Sequence, residues 1–189
     1  SSLTFDLSAY HTKFEPGTTY SSTVADPATQ DTKNTIWALS GSYNKGPHNV
    51  MLAYQQNNGN VGYDYGGNTD GGQSIYMPNS YLSDFIGNDE KSVQLQYNVD
   101  LGAYGVPGLS WTSAYVYGWD IKVKGLTDSA DEQEFFNQVK YTVQSGFAKD
   151  ASLRLRNSIY RASDEYQTNA YIGDTNEWRI FLDIPVKLF

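Results

Sequence analysis

From residue 92 to residue 102 apolar and polar side chains alternate without a break. Val93, Leu95, Tyr97, Val99 and Leu101 fall on one side, and Gln94, Gln96, Asn98 and Asp100 on the other. Period-two alternation sends successive side chains to opposite faces of a strand, so this segment offers one face to an apolar medium and the other to water. The same signature occurs in eight segments, near residues 2–12, 34–44, 48–56, 92–102, 109–121, 133–144, 151–161 and 177–189. Most are about the 9–11 residues that a tilted strand needs to cross a bilayer. Strands of globular domains are usually shorter, about 5–6 residues. In the seventh segment Leu153, Leu155 and Ile159 oppose Ser152, Arg154, Arg156 and Ser158. In the eighth, Trp178, Ile180, Leu182, Ile184, Val186 and Leu188 oppose Arg179, Phe181, Asp183, Pro185 and Lys187. Arg154 and Arg156, and the charges of the eighth segment, keep to the polar face.

The connections alternate in length: long (13–33), short (45–47), long (57–91), short (103–108), intermediate (122–132), short (145–150) and intermediate (162–176). All short turns therefore fall at one end of the strands. Outer-membrane barrels pair short periplasmic turns with longer extracellular loops, which assigns Lys45-Gly46-Pro47, Gly105-Val106-Pro107-Gly108 and Gly146–Asp150 to the periplasm. Rings gather near segment ends, with Tyr115, Tyr117 and Trp119 late in the fifth and Tyr104 with Trp111 beside a short turn, as interfacial girdles require. Trp37 and Trp111 read as lipid anchors. The expected fold is an all-β, transmembrane, antiparallel up-and-down barrel forming one domain over 1–189, closed by Phe189 in an aromatic C-terminal ending.

Composition narrows the function. Tyr is twice as frequent as Phe (16 against 8), and charged residues make up 18% of the chain, below the roughly 25% of soluble domains. No apolar run approaches the roughly 20 residues of a spanning helix, so any membrane crossing falls to strands. Cysteine is absent, which removes disulfides and thiolate chemistry. A net charge of −8, with Lys and Arg scattered, argues against nucleic acid. With only His11 and His48, a Ser-His-acid triad has few bases to draw on, and neither a nucleophile elbow, a phosphate loop nor a paired-His metal motif is present. An enzyme is not expected. Without a signal peptide or an initiator Met, the chain reads as mature, trimmed or a fragment. Three other readings remain open on pattern: a soluble antiparallel sandwich, a complete small eight-stranded barrel with a structural or adhesion role, and a membrane-embedded hydrolase.

Several runs carry a family resemblance. Asn79–Phe85, Gln94–Tyr97, Val106–Leu109, Val139–Gly146, Lys149–Asn157 and Asn176–Phe189 are weak singly, but in this order and spacing they resemble the OprD-type substrate-specific porins of the outer membrane. The resemblance implies an 18-stranded barrel of which this chain supplies roughly the last eight strands, with the N-terminal half missing. It also implies that the 57–91 loop folds inward as a constriction, and that lumen-facing basic side chains guide carboxylate-bearing solutes. Lys140, Arg154, Arg156 and Arg179 stand at matching positions. Gln96, Ala114 and Tyr117 depart from positions where Arg is common. Implied partners are small polar solutes, carboxylates or amino acids among them, outer-membrane lipid and lipopolysaccharide, the other half of the barrel, and further copies in a weak homotrimer. No cofactor is implied.

Rows of Arg and Lys at period two attract anions along a low-dielectric wall without trapping them, and Arg154 and Arg156 fit that description best. Equally open is that they pair with lumen carboxylates such as Asp183 or Asp100 and only brace the barrel. In the long loop, Tyr76, Tyr81 and Asp84 are the candidates for narrowing a channel: rings fill space, and a carboxylate opposite the arginines would set a transverse field. The plain alternative is an ordinary surface loop.

Overall fold

A computed structural model describes residues 1–14, 32–63, 76–123, 125–169 and 172–185. Eight strands run β1 (Ser2–Phe14), β2 (Thr32–Lys45), β3 (His48–Gly59), β4 (Lys91–Asp100), β5 (Leu109–Ile121), β6 (Ala130–Thr142), β7 (Ser152–Ala162) and β8 (Thr175–Asp183). They form a single sheet in sequence order, every neighbouring pair antiparallel. This is the meander that the alternating connections predict. Two segment ends differ from expectation. Leu101 leaves the fourth segment to start a 3-10 turn, Leu101–Tyr104, because Asp100 accepts a hydrogen bond from Gly102 N at 2.8 Å and caps it. The eighth strand stops at Asp183, two residues before Pro185, which has no N–H to extend a ladder. The ending at Phe189 lies outside the described residues, as do Tyr65 in the long loop and most of the 13–33 connection.

Cross-strand register converts each strand's alternation into two continuous faces. On one, Leu7 stands opposite Leu39, Leu39 opposite Tyr54, Tyr54 opposite Val93 and Val93 opposite Tyr117. Large apolar side chains stay exposed along this face, Leu7 at 70%, Leu95 at 53% and Ile180 at 72%. A water-soluble sheet would bury such a face; a bilayer covers it. Rings mark both ends. Trp37, Tyr54, Tyr117 and Trp119 lie toward the long loops. Toward the short turns, His48 shares hydrogen bonds with the hydroxyls of Tyr97 (2.6 Å) and Tyr104 (2.8 Å), and Trp111 meets Tyr97 edge-on. His48 is thus part of an interfacial belt.

β1 pairs only with β2 and β8 only with β7 among the described residues, so the sheet stays open. β1 is exposed over nearly its whole length, on both faces. Unpaired backbone groups in hydrocarbon cost several kcal/mol each, which no lipid-embedded edge sustains. A small closed eight-stranded barrel would instead pair β1 with β8. These edges belong to a larger sheet.

Candidate solute path

On the second face, residues two apart along each strand line up across the sheet in horizontal rows. From the long-loop end downward they are Ser92–Gly118–Glu132, Gln94–Val116–Glu134–Tyr160, Gln96–Ala114–Phe136–Ser158–Glu177, Asn98–Thr112–Gln138–Arg156–Arg179 and Asp100–Ser110–Lys140–Arg154–Phe181. The loop segment 76–90 lies over the first three rows. The last two carry all four sequence-predicted basic residues, Arg156 directly opposite Arg179 and Lys140 directly opposite Arg154.

Buried polar side chains of the wall hold the loop by its backbone. Gln55 Nε2 donates to the carbonyls of Phe85 (2.8 Å) and Asp84 (3.2 Å), and Asn57 Nδ2 donates to those of Ile86 (2.7 Å) and Gly87 (2.6 Å). From the other side, Glu134 accepts from Leu82 N (3.0 and 3.1 Å) and Ser83 N (2.9 Å). Glu132 accepts from Ser83 Oγ at 2.8 Å and Tyr160 Oη at 2.5 Å. Met77 packs on Ile36 and Ala38 of β2. Together these contacts fix a non-glycine residue in the left-handed region, Phe85 at φ 53°, a strain of roughly 1–2 kcal/mol that only a well-determined surrounding sustains.

Glu90 shows why a glycine interrupts the aromatic β5. A Cβ at Gly118 would stand 2.1 Å from Glu90 Oε1 and 2.9 Å from Phe85 Cδ1, so only glycine lets the loop seat. Glu90 Oε2 accepts from Gly87 N at 2.6 Å, and the residue is 1% exposed. Burial, reinforced by the neighbouring Glu132, pushes its carboxyl well above the usual carboxylate range.

The predicted loop residues separate into different roles. Tyr81 stacks on Phe136 at 4.2 Å, donates to Gln96 Oε1 at 2.5 Å and accepts from Gln94 Nε2 at 2.5 Å. Burial raises its phenol above the ordinary value, so it keeps its proton. Tyr76 is 74% exposed at the margin of the segment, its backbone N–H donating to Tyr10 Oη. Asp84 accepts from Ser80 Oγ, and the carboxylate bonded to loop amides beside the basic rows is Glu134. Glu132, Glu134, Glu90, Gln55 and Asn57 were not singled out by sequence. Glu132 and Glu134 stand at period two on a polar face, but their partners lie about 50 residues upstream.

Arg154 and Arg156 are positioned without carboxylates. Arg154 lies over Phe181 at 4.4 Å, and Arg156 lies between Phe136 (5.2 Å) and Phe181 (5.4 Å) while donating to Gln138 Oε1 at 3.1 Å. Among the described residues neither is in an ion pair. The bracing partners that sequence left open are otherwise engaged: Asp100 caps its turn and Asp183 accepts from Ser152 at 3.4 Å. Arg179 does pair, with Glu177 at 2.6 Å. Row four continues as a side-chain chain in which Asn49 donates to Asn44, Asn98 to Asn49 and Thr112 to Asn98, at 2.7–2.8 Å. Of the positions that depart from the ladder, Gln96 and Ala114 face the rows, but Tyr117 points outward and stacks on Trp119. An arginine there would meet the interface and not the lumen.

Comparison with known proteins gives the same architecture. The family model described as outer membrane porin, OprD family, matches residues 1–188. Porin D of Pseudomonas aeruginosa is 35% identical over 205 residues, spanning 99% of this chain and 43% of its own length. The crystal structure of Acinetobacter baumannii OccAB1 superposes with a TM-score of 0.91 at 70% identity, over 99% of this chain and 47% of that one. Pseudomonas aeruginosa OprD superposes with a TM-score of 0.73 at 32% identity, over 97% of this chain and 53% of that one. The chain thus spans about half the length of these relatives, which are channels and not enzymes.

Proposed function

Because the chain belongs to the OprD family of porins, β-barrels of the bacterial outer membrane, we propose that it supplies part of the wall and the constriction loop of a passive, substrate-specific pore. Small polar solutes diffuse through it, and carboxylate-bearing ones, amino acids among them, are favoured. The observation that carries this reading is the order of features along the wall: loop 76–90 held over the upper rows, with two basic rungs directly beneath it. A solute coming from the long-loop end passes Tyr81 and Phe136 and then meets Arg156 with Arg179, followed by Lys140 with Arg154. Rungs two residues apart are about 7 Å from one another, short enough for a carboxylate to leave one while engaging the next.

The aromatic rings under Arg154 and Arg156 hold the guanidiniums in place without neutralising them, so attraction through the low-dielectric wall is retained. Gln96 and Ala114 leave the upper rows without a cation, and Glu134 stands among them, so anion preference is weaker than a full basic ladder would give. Tyr76 occupies the outer margin of the narrowing.

The test is single-channel recording of the full-length porin in planar bilayers, comparing a small carboxylate with its amide. The carboxylate should permeate or block several-fold more strongly. Arg154→Gln with Arg156→Gln should abolish that difference, at about 1 kcal/mol or roughly fivefold per partly exposed charge. Equal permeability of the two solutes in the unmodified protein would count against selection by these residues.

A further inference from the structure

Two carboxyl groups buried where the loop meets the wall are not used by the solute path. Gly118 stands directly opposite Glu132 in the β5–β6 register, and its lack of a side chain leaves a notch through which Glu90, at the end of the loop, reaches β6. There the Glu90 and Glu132 side chains are hydrogen-bonded to each other, and each residue is 1% exposed. Two carboxylates cannot form such a bond, because neither has a hydrogen to donate. Their other contacts supply none between them. Glu132 Oε2 accepts from Ser83 Oγ at 2.8 Å and Tyr160 Oη at 2.5 Å, and Glu90 Oε2 accepts from Gly87 N at 2.6 Å. Oε1 of each meets no N–H or O–H donor, and among the described residues neither is in an ion pair. A proton on one of the two carboxyls supplies the missing donor.

The groups around the pair offer no positive charge in its place. β5 contributes Gly118 and Ile121, β7 contributes Tyr160, and the short helix α1 (Asp164–Asn169) contributes Tyr166. Beyond Glu132 on the same strand is Glu134, with Asp84 of the loop near it. Lys91 and Lys122, the nearest lysines along the chain, are bonded to Asp120 and Asp89. Glu132, with two donors on Oε2, is the better supported anion, so Glu90 carries the proton. Ionising both would set two buried like charges in contact. The limb 82–87 lies between the other partners of the two carboxyls, Gly87 N on Glu90 and Ser83 Oγ on Glu132.

We propose that Glu90 and Glu132 are a positioning pair for the loop: one proton shared between their carboxyls seats the limb 82–87 against the wall, and its loss at alkaline pH releases that limb. Once released, Glu90 is solvated and has the ordinary pKa of about 4.3, so seating takes up a proton. The stabilisation that this proton gives is complete below that value and is lost as pH climbs. Above it the released-to-seated ratio rises about tenfold per pH unit, until the seated pair itself ionises. The pair acts on solutes only through the loop, so its effect on conductance rests on the reading of 76–90 as a constriction.

Infrared spectroscopy of the full-length porin in detergent tests the pair. Near neutral pH, where solvated carboxyls are ionised, the unmodified protein should show a protonated-carboxyl C=O stretch that disappears on alkaline titration. Glu90→Gln, whose amide donates to Glu132 without titrating, should lack it. Amide exchange at Ser83 and Phe85, corrected for the intrinsic rate, should lose about tenfold in protection per pH unit in the unmodified protein and stay constant in Glu90→Gln. Wide single-channel openings should grow in the same proportion. Should Glu90→Gln not fold, the infrared band and the exchange of the unmodified protein, titrated together, carry the test. Absence of the band near neutral pH, as a bridging cation would produce, overturns the proposal, and so does protection equally dependent on pH in Glu90→Gln. A band and protection that titrate together at unchanged conductance uphold the pair and refute the constriction reading instead.

Discussion

Replacing Glu134 by Leu keeps side-chain volume on β6 while removing the acceptor for two backbone donors, Leu82 N at 3.0 Å and Ser83 N at 2.9 Å. Ser83 is 0% exposed, so its N–H has no route to water while the loop stays seated. A buried donor left without a partner costs about 1–3 kcal/mol. Two of them, offset by the gain from burying an apolar side chain and by removal of a desolvated carboxyl group, leave roughly 3 kcal/mol against docking. That corresponds to about a hundredfold in the docking equilibrium. Amide hydrogen exchange of the full-length porin in detergent reads it directly: protection at Leu82 and Ser83 should fall about a hundredfold, and the Asn98 and Val116 ladders should not change. Glu134→Gln retains one acceptor oxygen and should fall between. Protection altered less than threefold in Glu134→Leu would refute the anchoring role, and increased protection would show that desolvation of the carboxylate outweighs its hydrogen bonds.

Glu90 has a raised carboxyl pKa in the folded chain, so the stability it permits is complete below the ordinary value of about 4.3 and is lost as pH climbs toward the folded pKa. Glu90→Gln should therefore melt with the parent near pH 4 and at a higher temperature near pH 8; a gap independent of pH would count against a buried carboxyl. Tyr81→Phe removes the hydroxyl joining Gln94 and Gln96, costing about 1 kcal/mol in thermal stability with conductance nearly unchanged, whereas Tyr81→Ala should raise single-channel conductance. Equal conductance in both would place Tyr81 outside the narrowing. Gly108→Ala brings a Cβ to 2.2 Å from Thr142 O at φ 84°, so heat-modifiable migration should show a loss of about 1–3 kcal/mol of stability; an unaltered transition would disprove that close approach.

Sheet architecture is legible in this sequence because a two-faced strand imposes period two on its segment: β4 displays it without exceptions from Ser92 to Asp100, and β7 from Ser152 to Arg156, after which Asn157 and Arg161 take the outward parity. The basic residues at 140, 154, 156 and 179 are readable for the same reason, since parity alone places them on the polar face. Strand ends are less so: a side-chain cap at Asp100 and a missing N–H at Pro185 decide them locally. Tyr117 shows the converse error, a position compared with a family's lumen arginine that parity already assigns to the outer face. The loop's anchors were hidden because Glu132, Glu134 and Gln55 acquire their roles from backbone amides and carbonyls far away in sequence, which no local period encodes. Gly118 offered the nearest clue, a side-chain-free position amid the rings of β5, but its partner Glu90 is identifiable only once the loop is seated.

The two faces of the wall can be tested one residue at a time, since this chain contains no cysteine of its own. Single cysteines introduced at successive positions of β7, from Leu153→Cys to Ile159→Cys, in a full-length background without other cysteines, would be treated with a charged, water-soluble thiol reagent during single-channel recording. Stepwise conductance loss at 154, 156 and 158, with none at 153, 155 and 159, is the predicted result. Modification without alternation, or block from the 153, 155 and 159 positions, would contradict a wall with lipid on one side and a solute path on the other.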